Sequence, residues 1–106
     1  MSMDALSRLE ATVIERLSAD PGSSYVASLT AKGLPVIARK LGEEATEAVV
    51  AALSGSDEEL VSEAADVLFH LTVLLSAKGI KLERVMAELE RREGTSGLAE
   101  KASRSR

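Results

Sequence analysis

The chain has 106 residues, a mass of 11.2 kDa, a net charge of −4 and a pI near 5.0. That length suits one domain with a modest core, and the acidic balance excludes a nucleic-acid binder that works through its charge. The absence of cysteine excludes disulfides, thiolate catalysis and cysteine-based zinc sites, and two aromatics, Tyr25 and Phe69, are too few for stacking along a nucleic acid.

Ala, Glu, Leu, Lys and Arg make up just over half the chain, which points to helix. The elements follow in chain order. Leu6, Leu9, Val13, Ile14 and Leu17 recur at helical spacing and predict a first amphipathic helix. Asp20-Pro21-Gly22-Ser23-Ser24 breaks it. A short helix is predicted over Tyr25 to Lys32, capped by Ser23 or Ser24 and stopped by Gly33. Pro35 suits the first turn of the next helix, which runs to about Leu53. Ser56 and Glu59, three apart, predict a capping box and a helix that closes at Lys78-Gly79. Leu82, Val85, Met86 and Leu89 predict a last helix ending near Gly94. No stretch alternates usefully in the manner of a strand. The expectation is an all-α domain of four to five helices over residues 1–93, with an antiparallel helical hairpin at its centre. Residues 94–106, small and polar, are expected to form a mobile tail.

Two of these helices are unusual. The one holding Leu60 to Leu75 is apolar on most sides, which predicts burial, partly against a second subunit. The one before it carries Ala45, Ala48, Ala51 and Ala52, which permit close approach of a neighbour. The longest strongly apolar stretch, Val67 to Ala77, has 11 residues, and a membrane helix needs about 20. The expectation is a cytoplasmic protein with neither membrane nor nucleic acid as partner.

Charge is distributed unevenly. From Leu41 to Ala77 there are eight acidic residues and no Lys or Arg. Glu43, Glu44 and Glu47 share one face of their helix, and Glu63 and Asp66 share one face of the next. In an antiparallel hairpin, residues at equal height have a constant index sum. Glu47 with Glu63 and Glu44 with Asp66 have the same sum, so four carboxylates are expected at matching heights, about 4.5 Å apart along the axis. Such a cluster repels itself unless cations neutralise it, and an oxygen-only ligand set selects hard cations, Mg²⁺ or Mn²⁺. The competing reading is a solvated acidic face. It suits Glu58 and Glu59 at a helix start. It does not suit Glu63 and Asp66, which stand among Val61, Ala64, Ala65, Val67 and Leu68. Lys40, one turn before Glu44, is a phosphate contact or that residue's i,i+4 partner. Lys32, Arg91 and Arg92 are phosphate-contact candidates or surface charges. His70, four residues after Asp66, reads as a packed histidine beside the site rather than a ligand.

The pattern E-E-x-x-E followed by E-x-x-D on a helical hairpin resembles the all-α NTP pyrophosphohydrolase (MazG-like) superfamily. The flanking residues resemble one family within it. They are Ser24-Tyr25, Leu29-x-x-Lys32-Gly33, Ile37-x-x-Lys40-Leu41-Gly42-Glu43-Glu44-Ala45-Thr46-Glu47, Glu63-Ala64-Ala65-Asp66-x-Leu68-x-His70-Leu71, Lys78-Gly79 and Glu88-Leu89-x-Arg91-Arg92. Over about residues 6–93 the chain is similar to the phosphoribosyl-ATP pyrophosphatases of histidine biosynthesis. Phe69, where that family more often has Tyr, and Val26, where it often has Thr, are small departures. The resemblance implies hydrolysis of phosphoribosyl-ATP to phosphoribosyl-AMP and pyrophosphate, cleaved between the α and β phosphates. It implies Mg²⁺, with Mn²⁺ as a substitute, on Glu44, Glu47, Glu63 and Asp66. Glu43 or Glu47 is the candidate base toward water. Lys32, Lys40, Arg91 and Arg92 are the candidate phosphate clamps. It also implies a homodimer or larger assembly. The alternatives are a housekeeping NTP or dNTP pyrophosphohydrolase of the same superfamily and a non-enzymatic helical dimerisation module.

Overall fold

A computed structural model of the chain describes residues 4–94 and 97–104. The described residues form six helices: α1 (Ala5–Arg16), α2 (Tyr25–Lys32), α3 (Leu34–Ser54), α4 (Asp57–Ala77), α5 (Leu82–Arg92) and α6 (Gly97–Arg104). Most boundaries have a local cause. Asp4 caps α1 by accepting from the Ser7 N–H at 2.8 Å. The Ser24 hydroxyl caps α2 by accepting from the Ala27 N–H at 3.2 Å. Gly33, at φ 98° and ψ 163°, lies in backbone space essentially reserved for glycine, so the chain can leave α2 and enter α3 within one residue. Pro35 stands in the first turn of α3. Ser56 and Glu59 form the predicted capping box at the start of α4. Gly79 adopts φ 74° and closes α4, with the Ile80 N–H donating to the Leu75 carbonyl at 2.9 Å.

One cap comes from far along the chain. Lys81 offers no side-chain cap to α5, and Glu10 of α1 instead accepts from the Leu82 N–H at 2.7 Å, across 72 residues. Leu82 is buried beside it, so the entry of α5 is pinned to α1.

The core is Val13 from α1, Val26 and Leu29 from α2, Ile37 from α3 and Val73 from α4, with Leu9, Leu17, Val36, Phe69 and Leu74 packed against it. α3 and α4 form the antiparallel hairpin, α1 lies on α4, and α2 lies on α3. Hairpin contact is close at Ala51, which is buried. Elsewhere α4 departs from the expected burial. Its buried residues in the single chain are His70, Thr72, Val73 and Ser76, while Val61 stays 69% exposed. Leu68 on α4 and Val49, Val50 and Leu53 on α3 are exposed as well, so the hairpin presents an apolar face to solvent. By length and composition alone, α4 contains a stretch long and apolar enough to cross a membrane, a profile that core helices of soluble proteins share. It also carries Glu63 and Asp66 within the hairpin.

Five of the helices, α1 to α5, lie within residues 1–93, and α6 lies in the segment expected as a mobile tail. Of the same segment, residues 95, 96, 105 and 106 lie outside the described residues.

Candidate metal and phosphate site

The hairpin brings Glu44 of α3 together with Glu63 and Asp66 of α4. One carboxylate oxygen from each lies within 4.8 Å of the other two, and all three residues are half-buried. Local spacing explains the arrangement. Glu63 and Asp66 are three apart and share the α4 face turned to α3, and the short turn at Gly55–Ser56 sets Glu44 opposite them. Oxygen Oε2 of Glu63 is buried and has no hydrogen-bond partner. A buried carboxylate oxygen without a donor calls for a counter-ion. Three carboxylates with no nitrogen or sulfur among them fit a hard divalent cation.

The electrostatics agree. Glu44 is raised above the ordinary carboxylate range, chiefly by its removal from water, then by the charge of Glu47 and a hydrogen bond to it, and then by Asp66. Glu63 is raised for the same leading reason, then by Glu47, Asp66 and Glu59. Glu47 therefore stands beside the trio and acts on two of its members. It also lines, with Glu63, a cleft of about 370 Å³ between α3 and α4, which the hydroxyl residues Thr46, Ser54 and Ser62 help to form.

Other candidates fall elsewhere. Glu43 is engaged by two bases of its own helix, Arg39 Nε at 3.6 Å and Lys40 Nζ at 3.5 Å. Lys40 thus pairs with Glu43 rather than with Glu44, the partner expected from i,i+4 spacing. The reason is orientation: the Glu44 carboxylate turns toward α4, and Glu43 is left within reach. Lys32 is exposed in the last turn of α2. Arg91 and Arg92 both turn onto Glu88 of α5. Arg91 makes a two-pronged contact at 2.9 and 2.7 Å, and Arg92 Nε donates at 2.9 Å. The Arg91 and Arg92 hydrogen bonds hold Glu88 down at about 2.

One neighbour of the site was poorly legible in the sequence. His70, read there as a packed histidine, is buried with its Nδ1 2.8 Å from the Asp66 carbonyl oxygen and its Nε2 3.1 Å from the Tyr25 hydroxyl. Tyr25 and His70 are 45 residues apart, so no local spacing announces their contact. Rarity is the one signal: the chain has a single Tyr, a single Phe and a single His.

Fold and site together define an all-α protein whose central helical hairpin gathers carboxylates able to hold a divalent cation. Residues 6–93 match the phosphoribosyl-ATP pyrophosphohydrolase family, and the chain belongs to that family. It is 67% identical over 102 residues to a phosphoribosyl-ATP pyrophosphatase of Erythrobacter litoralis, covering 96% of this chain and 98% of the relative. It is 65% identical over 102 residues to one of Novosphingobium aromaticivorans, covering 96% and 95%. It is 60% identical over 99 residues to one of Rhizorhabdus wittichii, covering 93% of each.

Proposed function

We propose that the chain hydrolyses phosphoribosyl-ATP to phosphoribosyl-AMP and pyrophosphate, the second step of histidine biosynthesis, with Mg²⁺ as the working cation. The observation that carries the chemistry is the trio Glu44, Glu63 and Asp66, with its unpartnered buried oxygen, inside a chain of this family. A bound divalent cation would neutralise phosphate charge and lower the pKa of a water. The protein's own part is placement. Glu44, Glu63 and Asp66 hold the cation, and Glu47 borders them as a fourth ligand or as the base toward water. Glu43 is the weaker candidate for that base, because Arg39 and Lys40 already occupy it. Lys40 lies one helical turn before Glu44 and can reorient to a phosphate by releasing Glu43. Lys32 steers phosphates from the exposed end of α2. Arg91 and Arg92 clamp them only after exchanging Glu88 for phosphate, two strong hydrogen-bond acceptors of the same class.

The exposed Val49, Val50, Leu53, Val61 and Leu68 favour a homodimer or larger assembly closed over the hairpin. A cytoplasmic setting fits a chain without cysteine. The direct test is pyrophosphate release from phosphoribosyl-ATP by the purified protein, with Mg²⁺ or EDTA, beside a panel of dNTPs. Mg²⁺-dependent release from phosphoribosyl-ATP alone is expected. Preference for a dNTP overturns the substrate, and absence of any turnover overturns the enzyme.

A further inference from the structure

The chain's only tyrosine, only phenylalanine and only histidine meet at one place. Tyr25 comes from the first turn of α2, and Phe69 and His70 come from α4. The Tyr25 and Phe69 rings stack with centroids 6.0 Å apart and planes 27° apart. His70 meets Phe69 edge-on at 5.1 Å and Tyr25 edge-on at 5.9 Å. Phe69 leans on the core and His70 is buried, yet Tyr25 keeps 50% of its surface exposed.

Tyr25 is nevertheless held firmly. The Asp66 carbonyl can only accept, so its 2.8 Å contact places the His70 proton on Nδ1. In the neutral ring Nε2 is then an acceptor, and the Tyr25 hydroxyl donates to it at 3.1 Å. Hydroxyl tether and Phe69 stack together fix the ring in one attitude while much of it faces solvent. An aromatic ring placed for core packing would bury that surface, since its contribution scales with area removed from water.

The triad adjoins the carboxylates. His70 lies one helical turn beyond Asp66 and is bonded to its carbonyl. A base and the phosphates of one nucleotide are separated by a sugar, a span on the scale of a helical turn. We propose that Tyr25, backed by Phe69 and oriented by His70, is the platform on which the purine of the nucleotide substrate stacks while its phosphates meet the Glu44–Glu63–Asp66 cluster. The proposal rests on the reading of phosphoribosyl-ATP as substrate and goes further by naming what recognises its base. Tyr25 is the contacting residue; Phe69 and His70 are positioning residues. A pre-set ring loses little conformational freedom when a base stacks on it, and stacking tolerates an acidic neighbourhood because the base is neutral.

With one Tyr and no Trp, the Tyr25 ring signals in a proton NMR spectrum are unambiguous. The experiment titrates the full chain, with Mg²⁺, against AMP, ribose 5-phosphate and pyrophosphate. AMP is expected to shift the Tyr25 ring protons upfield and saturably, while the two ligands that lack a base leave them in place. No saturable shift with AMP overturns the platform, as does an equal shift with ribose 5-phosphate. In kinetics, Tyr25→Leu is expected to raise KM for phosphoribosyl-ATP about tenfold or more, with the loss on KM rather than kcat, and Tyr25→Phe is expected to restore most of it. A loss confined to kcat overturns the proposal. If Tyr25→Leu fails to fold, the titration of the unaltered chain decides alone. If the unaltered chain binds AMP through Tyr25 but leaves phosphoribosyl-ATP intact, the assigned reaction fails and the platform stands.

Discussion

The hairpin and α5 both gather acidic residues, and they treat them in opposite ways. On α5, Glu88 takes hydrogen bonds from Arg91 and Arg92, and its carboxyl is held down at about 2. In the hairpin, Glu44 and Glu63 face Glu47 and Asp66, and both carboxyls are pushed up. The same side chain at the same helical spacing thus becomes a settled surface ion pair in one place and an uncompensated cluster in the other. The cause is sequence composition: no Lys or Arg occurs between Leu41 and Ala77, so the hairpin's acids have no cationic neighbour along their own helix after Lys40. An acid group that a fold leaves uncompensated is the one available for a cation.

That contrast can be broken most sharply at the cluster. Asp66→Asn or Glu44→Gln is expected to lower pyrophosphate release from phosphoribosyl-ATP about a hundredfold or more, with helix content by circular dichroism unchanged. Retention of full activity would remove these carboxylates from the site. The next effect is on stability. Mg²⁺ at about a hundred times its Kd contributes about 2.7 kcal/mol by mass action, a rise of several degrees in Tm that EDTA reverses. Glu63→Gln is expected to abolish the rise, and Glu88→Gln to leave it intact. An equal Mg²⁺ response in both variants would erase the distinction between the two regions.

Smaller effects follow from titration, and their signs differ. The fold raises Glu63 above its ordinary value of 4.5, chiefly by removing it from water, so the folded apo-protein binds protons more readily than the unfolded chain. In EDTA, stability contributed by Glu63 therefore rises as pH falls through the raised value and is complete below about 4.5. Glu63→Gln is expected to raise apo-protein Tm at neutral pH and to flatten that rise. Glu88 behaves in reverse. Its folded pKa of about 2 lies below 4.5, so its contribution is present above 4.5 and is lost as pH falls from there through about 2. This is the smallest effect, because the group is exposed and screened by salt. A scan of Tm against pH for Glu88→Gln is expected to show a shallower decline in that window, and more so at low salt.

Much of this was legible before any coordinates. The breaks at Asp20–Ser24 and Gly33, the capping box at Ser56 and Glu59, and the stop at Gly79 are local signals read by local rules, and the helices end where they say. The meeting of Glu44, Glu63 and Asp66 was also legible, because a hairpin with a short turn converts sequence distance into height. Contacts that join elements without such a turn were not. Glu10 capping α5 crosses 72 residues, and Tyr25 meeting His70 crosses 45. The Lys40 pairing is not legible from spacing, which offers both Glu43 and Glu44, and only side-chain direction chooses between them.

The sequence by itself determined an all-α chain, the placement of five helices, and an acidic stretch from Leu41 to Ala77 that holds no Lys or Arg. Tertiary structure decided which acids converge, that Glu43 belongs to Arg39 and Lys40, and that the chain's only aromatic rings stand together beside Asp66. Helix propensity, caps and charge act over a turn or two and are written in neighbouring residues. Convergence depends on how helices pack, and packing is settled by the whole core at once.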